Sequence, residues 1–167
     1  DDFVFGAVLT IRPEGFAAPG WQMKENCYTQ LKERGYLYSS SVRGDAPFIP
    51  YVNGSKAEML EIPTTLPTLD ELYVISGKVG KAEMVERLLN AVREKDVNIH
   101  TIHAELEGGV AIDILEGLVK SLIERKVRFL RLMDLAAGIL DMPSAIKRHP
   151  LTQRYINGRP GLVTCQG

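Results

Sequence analysis

The sequence is poor in the residues that mark several large functional classes. Two cysteines, Cys27 and Cys165, are too few for a disulfide framework or a thiolate metal cluster, and read as small buried or half-buried thiols. Only three histidines occur, His100, His103 and His149, so no paired-histidine metal motif precedes His100. No apolar run approaches the ~18 residues of a membrane span. The longest are interrupted by charge, as in Leu130-Arg131-Leu132-Met133-Asp134. An excess of one sign of charge is lacking too: 20 Lys and Arg face 21 Asp and Glu, for a net charge of −1. That balance excludes a strongly basic nucleic-acid binder. One local imbalance remains. No acidic residue follows Asp141, while Lys147, Arg148, Arg154 and Arg159 do, so residues 142–167 carry +4. A basic tail over 142–167 suits an anionic partner such as a phosphate or a lipid head group. Equally, it suits a solvated tail wrapped on its own acidic domain.

What is present describes a globular chain. At 167 residues, 45% apolar and 25% charged, it can bury about two-thirds of its unfolded surface, which excludes intrinsic disorder. It begins at Asp1-Asp2 without a methionine, so the lack of a leader pattern says nothing about what precedes it. Strand and helix signals alternate. Val4–Ile11 reads as a strand, 22–34 as a helix stopped by Gly35, and Tyr36–Ser41 as a short strand. Residues 42–57, with Gly44, Pro47, Pro50 and Gly54, read as largely loop, Met59–Pro63 as a strand, and TTLPTLDEL as turn-rich. The helix over 81–94 places Met84, Leu88, Leu89 and Val92 on one face. That over 111–126 places Ile112, Leu115, Val119, Leu122 and Ile123 there. Val97–His103 and Val127–Leu130 read as strands, and Met133–Leu140 as a last helix. This alternation predicts an α/β fold, a single domain over 1–167, with parallel strands and crossover helices.

In such folds chemistry collects where strands end. Three loops stand out. Gly15-Phe16-Ala17-Ala18-Pro19-Gly20-Trp21 holds the lone tryptophan among small residues, which suits either a tight turn around a packed indole or close backbone approach to a ligand. In Thr101–Gly109, His103 stands at a strand end beside Glu105 and Glu107 and before a Gly pair. A histidine there is a proton donor of tunable pKa, or a structural residue with satisfied bonds. His100 falls on the opposite strand face, so the two are not expected to ligate one metal. In Arg43-Gly44-Asp45-Ala46-Pro47-Phe48, Arg43 suits a bidentate grip on a phosphate or carboxylate, or a loop salt bridge to Asp45.

The ordered set GFAAPGW, YSSSVRGDAPFIP, EIPTTLPTLDEL, IHTIHAELEG and INGRPGLVTCQ resembles the polysaccharide deacetylase (NodB homology) superfamily. Within it, the set resembles the branch that deformylates 4-deoxy-4-formamido-L-arabinose-phosphoundecaprenol. The resemblance runs from about Gly15 to Gln166 and covers the C-terminal half or so of such an enzyme. It implies part of a distorted (β/α) barrel, a hydrolase of the formyl or acetyl amide of an amino sugar, and a role in lipid A modification and polymyxin resistance. His103 matches the family's last histidine, the general acid that protonates the departing amine. Phe16–Trp21 matches the family's Arg-x-Pro-aromatic motif, with Ala17 in place of the Arg that orients the catalytic base, as in the deformylase branch. Trp21, Ala17, Pro19, Arg43 and Glu105 are the implied substrate contacts. Ser41 stands where the family often has an acidic residue, and Leu69 where it has an aromatic.

The resemblance also implies a divalent metal, commonly zinc, held by one Asp and two His from an Asp-Asp motif and a His-x-x-x-His motif. Neither is matched here, and Asp1-Asp2 lacks the flanking residues, so no metal ligand is assigned. The chain is expected to be a fragment, inactive by itself, of an enzyme that works on a lipid-linked amino sugar or polysaccharide, in the cytoplasm or peripheral to the bacterial inner membrane. No nucleic acid is implied. The alternatives are a deacetylase of another N-acyl sugar, and a non-catalytic carbohydrate- or phospholipid-binding remnant.

Overall fold

The structure, a computed structural model, describes residues 12–52, 54–76, 79–94 and 96–167. The expected strand Val4–Ile11 and the Asp1-Asp2 pair lie outside the described residues. In chain order the elements are β1 (Gly15–Phe16), α1 (Glu25–Glu33), β2 (Tyr38–Ser39), β3 (Ile49–Val52), β4 (Ser55–Lys56), β5 (Leu60–Glu61), α2 (Leu69–Ser76), α3 (Lys81–Ala91), α4 (Ile112–Glu124), α5 (Leu132–Leu140), β6 (Arg148–His149), β7 (Leu151–Tyr155) and β8 (Leu162–Gln166). They group into two compact units: Asp1–Pro63 with Leu130–Arg154 and Val163–Gly167, and Thr64–Phe129 with Tyr155–Leu162.

The first unit is built on the parallel sheet β1-β2-β5. Parallel neighbours need a crossover, and α1 supplies it between β1 and β2. Gly35 ends α1 at φ 78. Its N–H bonds Lys32 O at 2.8 Å, and Tyr36 N–H bonds Leu31 O at 3.1 Å, the two closing bonds of a Schellman turn. A Cβ on Gly15 would stand 2.3 Å from the Tyr38 ring, so any side chain there requires that ring to move. α1 buries Tyr28 and Leu31 in a core with Met23, Val42, Phe48, Val52, Ala57 and Met59.

The second unit is helical. α3 and α4 pack closely, with Val85 Cγ2 at 3.2 Å from where a Cβ on Gly117 would sit. Met84, Leu88, Ala111, Ile114, Leu118 and Leu122 close the core together with Leu69 and Leu72 of α2.

Several expectations are corrected. Residues 42–57 are largely loop, but they also hold a hairpin the sequence reading did not name: β3 and β4 pair antiparallel, Tyr51 opposite Lys56 and Val52 opposite Ser55. The Asn53-Gly54 dipeptide between two β-capable runs is the overlooked hairpin signal. Within the turn-rich TTLPTLDEL, α2 already begins at Leu69. Val97–His103 and Val127–Leu130 form no strand. Ile99 spends its bonds on Thr65, N–H to Oγ1 at 2.9 Å and C=O from the Thr65 N–H at 3.1 Å, rather than on a ladder. The buried stripe of α4 is Ile114, Leu118 and Leu122, while Ile112 and Ile123 are exposed, Ile123 at 59%; the helix is apolar on two sides and periodicity cannot choose between them. Residues 142–167 are no tail. They hold β6, paired parallel with β3, and β7 paired with β8, and Cys165 bridges Arg43. Among the described residues the strands close no barrel; the sheets are β1-β2-β5, β4-β3-β6 and β7-β8.

Candidate active site

In the first unit the loop from Phe16 to Trp21 is hung on a buried carboxylate. Glu61, fully buried on β5, accepts the Tyr28 hydroxyl at 2.7 Å, Ser41 N–H at 2.6 Å and Val42 N–H at 3.2 Å. Ser41 Oγ takes the Ser39 hydroxyl at 2.7 Å and the Ala18 N–H at 2.9 Å. This chain of bonds fixes the start of the Pro19–Trp21 turn. Gly20 and Trp21 both adopt left-handed backbone, at φ 63 and 55. A bulky residue there costs about 1–3 kcal/mol, which surrounding structure must supply. The indole is 5% exposed, and the Arg43 guanidinium lies 5.0 Å from its ring centroid, a cation–π contact. Arg43 is pinned through its backbone as well, N–H to Thr164 O at 2.9 Å and C=O from Gln166 N–H at 2.7 Å. Gly44 has no room for a side chain, since a Cβ would meet Gln166 Oε1 at 2.6 Å.

Glu61 and Tyr28 share one environment. Burial raises the Glu61 carboxyl above the ordinary range, against the opposing bonds from Ser39, Tyr28, Ser41 and Val42. Burial, then the neighbouring Glu61 charge, pushes the Tyr28 phenol up.

In the second unit His103 meets an acidic helix start. Thr68 precedes α2, and its N–H is accepted by Glu71 Oε2 at 3.1 Å, one half of a T-x-x-E capping box. The Thr68 hydroxyl donates to Asp70 Oδ1 at 2.5 Å. Arg159 reaches all three residues: Nε to Glu71 Oε1 at 2.8 Å, Nη2 to Asp70 Oδ1 at 2.8 Å and to Thr68 Oγ1 at 2.5 Å. His103 Nδ1 lies 3.7 Å from the same Asp70 Oδ1. That separation is an ion-pair distance, longer than a hydrogen bond. Burial works to raise the Asp70 carboxyl, but the Thr68 hydroxyl, the Arg159 guanidinium and the His103 charge outweigh it and hold the carboxyl below its ordinary range. Asp70 is therefore a preserved anion beside the ring.

The backbone of His103 is held separately. Its C=O accepts the Leu106 and Glu107 N–H groups at 3.0 and 2.9 Å, and its N–H donates to Glu107 Oε2 at 2.8 Å. Glu107 is 2% exposed, and its Oε1 makes no hydrogen bond; that atom lies 3.9 Å from His100 Nε2. His100 Nδ1 is 3.1 Å from Pro67 O.

The residues singled out from sequence fall into two groups. Ala17, Pro19, Trp21 and Arg43 belong to the first unit, where Arg43 and Trp21 touch and Ala17 and Pro19 are exposed. His103 and Glu105 share a turn in the second, with Glu105 exposed. Neither Glu105 nor Glu107 supports the His103 ring: Glu107 binds its backbone, and the ring faces Asp70. Asp70, Glu71 and Arg159 were missed as a site. The T-x-x-E pattern at 68–71 could have located the helix start; nothing in NGRPG marks Arg159 as its partner. Ser41 and Leu69 are buried, one a bonding hinge and the other a core residue. Cys27 is half-buried and Cys165 buried, both free thiols.

The metal implied by the superfamily finds no seat among the described residues. No group of three or more His, Cys, Asp or Glu side chains there could hold an ion, so the residues do not fit a metal centre and no step below passes through one.

No protein-family model matches the chain. It is 32% identical over 156 residues to a Wigglesworthia glossinidia brevipalpis protein named as a probable 4-deoxy-4-formamido-L-arabinose-phosphoundecaprenol deformylase, covering 90% of this chain and 52% of that one. A Shewanella sediminis protein of the same name is 31% identical over 119 residues, 71% of this chain and 37% of its own. A crystal structure named as a polysaccharide deacetylase from Mycobacterium smegmatis matches with a TM-score of 0.68 at 19% identity, covering 93% of this chain and 58% of that one. The chain thus spans about half the length of the curated relatives it matches. The sequence motifs, the curated matches and the fold thus agree in likening the chain to the polysaccharide deacetylases and their formamido-arabinose deformylases.

Proposed function

We propose that this chain carries the proton-donor side of an amide hydrolase that removes the formyl group from undecaprenyl-phosphate-linked formamido-arabinose, a step of lipid A modification. The observation that carries the reading is His103 facing an anionic Asp70 across 3.7 Å. An amide nitrogen is a poor leaving group until it is protonated. With Nδ1 turned to Asp70, Nε2 is the atom left to give a proton to the sugar nitrogen as the C–N bond breaks. Water supplies the oxygen, and the formyl carbon leaves as formate. Asp70 stabilises the imidazolium that donates, and takes no proton itself. Apo separations at such pairs often tighten only when substrate is bound.

In the first unit Arg43, steadied on Trp21, suits the phosphate of a lipid-linked sugar, with Ala17 and Pro19 on the same loop system; in the second, Glu105 shares the turn of His103. The parallel order β1-β2-β5 and the TM-score of 0.68 support placing the chain in a distorted (β/α) barrel. No helix among the described residues is long and apolar enough to cross a membrane; a lipid-linked substrate suits work in the cytoplasm or peripheral to the inner membrane.

The test is formate release by the protein that carries this chain, wild type against His103→Gln. General acid catalysis contributes about 10²–10⁴-fold, so a loss of that size is expected; a loss under about tenfold overturns the role. The isolated chain is expected to show no turnover. A second reading is a sugar- or phospholipid-binding module, which the Arg43–Trp21 contact would serve. Binding of undecaprenyl phosphate without metal, with no formate released by any form of the protein, would select it.

A further inference from the structure

We propose that Arg159 is the positioning residue of the His103–Asp70 pair, fixing the Asp70 carboxylate on the rotamer that faces the ring. The inference rests on the proposed role of His103. The side chain is 11% exposed and forked: Nε holds Glu71 and Nη2 holds Asp70 and Thr68, all at 2.5–2.8 Å. Two adjacent carboxylates are thereby tied to one rigid plane. A planar guanidinium restrains orientation in a way a point charge cannot. Asp70 Oδ1 accepts from Thr68 and Arg159 while lying 3.7 Å from His103, so its direction is set by two donors before the ring is considered.

The backbone that delivers Arg159 is equally specific. Gly158 adopts φ 88, and a Cβ there would stand 2.9 Å from Glu71 Cα and 3.2 Å from its carbonyl oxygen. The turn therefore lies directly on the start of α2, and only glycine permits that approach. Arg159 N–H closes the turn on Ile156 O at 3.0 Å. A guanidinium needed merely to neutralise charge would not require so close a backbone seat.

A double-mutant cycle tests the role without any turnover. The Asp70 carboxyl is titrated by carbon NMR in wild type, His103→Gln, Arg159→Lys and the double variant. The groups facing Asp70 are Thr68, Arg159 and His103, with Glu71 next in the chain. With Arg159 in place, removing the His103 charge raises the Asp70 midpoint. In the Arg159→Lys background, which keeps the charge and loses the fork, that rise shrinks to about half or less. An undiminished rise in the Arg159→Lys background overturns the proposal, as does no rise with Arg159 in place. If Arg159→Lys does not fold, Gly158→Ala displaces the turn with every charge kept; the same shrinkage is expected, and an undiminished rise overturns. An undiminished rise removes only the role of Arg159, no rise with Arg159 in place removes the His103–Asp70 coupling with it, and unchanged formate release in His103→Gln removes the proposed function.

Discussion

Glu61 and Asp70 are both held by several donors, yet their surroundings treat the charge in opposite ways. Glu61 is enclosed and its donors among the described residues are neutral, a phenol and two backbone N–H groups, with the Ser39 side chain beside them. Burial wins, and its carboxyl is raised. Asp70 faces Arg159 and His103 as well as Thr68, and its carboxyl is lowered although burial opposes this. The lesson is that the number of hydrogen bonds does not decide a carboxylate's state; the sign of what lies behind the donors does. The first unit uses its carboxylate to hold a loop, the second to keep a negative charge beside a titratable ring.

The contrast can be broken or sharpened by substitution. The largest effect is expected from Glu61→Ala, which strands Tyr28 OH and the Ser41 and Val42 N–H groups. At about 1–3 kcal/mol per buried unpaired donor, the loss should exceed roughly 3 kcal/mol in urea unfolding. A loss under about 1 kcal/mol would mean the loop does not hang on Glu61. Tyr28→Phe removes one bond to the same carboxylate and should lower stability by about 1.5–3 kcal/mol. It should also raise the Glu61 carboxyl further, because that bond favours the anion.

A pH series then separates the two signs. The Asp70 carboxyl is lowered on folding, so its contribution is present above the ordinary carboxylate value and lost as pH falls through the folded one. Glu61 is raised, so its contribution is present below the ordinary value and lost as pH rises through the folded one. Unfolding midpoints measured from acid to neutral pH should show Asp70→Asn flattening the acid-side fall, and Glu61→Gln flattening the decline on the rising side. The same flattening from both variants would erase the distinction. The smallest effect is expected from Arg87→Ala, which breaks the exposed pair to Glu83 at 2.7 Å. About 0.5 kcal/mol or less is expected by thermal melting, and a larger loss would show that exposure does not separate this pair from the Arg159 fork.

How far the sequence speaks depends on the range of the interaction that decides each feature. The helices over 22–34, 81–94 and 111–126 are legible because their period and the stop at Gly35 are local. Val97–His103 has β-branched composition, but its backbone bonds go to Thr65 and it joins no ladder; composition cannot foresee a missing partner. The buried side of α4 depends on where α3 lies, and both stripes satisfy the helical period. His103 is legible from its place before a Gly pair and from the family motif. Asp70 and Arg159 are not, because their contact joins residues 89 apart, and no local pattern records it.

That separation has a kinetic consequence. Closing a loop of this length costs about 4 kcal/mol in chain entropy, so the Arg159 fork can form only once α2 and its core are in place to reward it. A ribosome adds about 5–20 residues per second; Arg159 therefore emerges on the order of 5–20 s after Asp70 and Glu71. Through that interval the newborn helix start holds its two carboxylates without their shared cation. The segment that supplies Arg159 is thus made well after the helix start it clasps, and a chain stopped short of Ile156 would hold that helix start without its clasp.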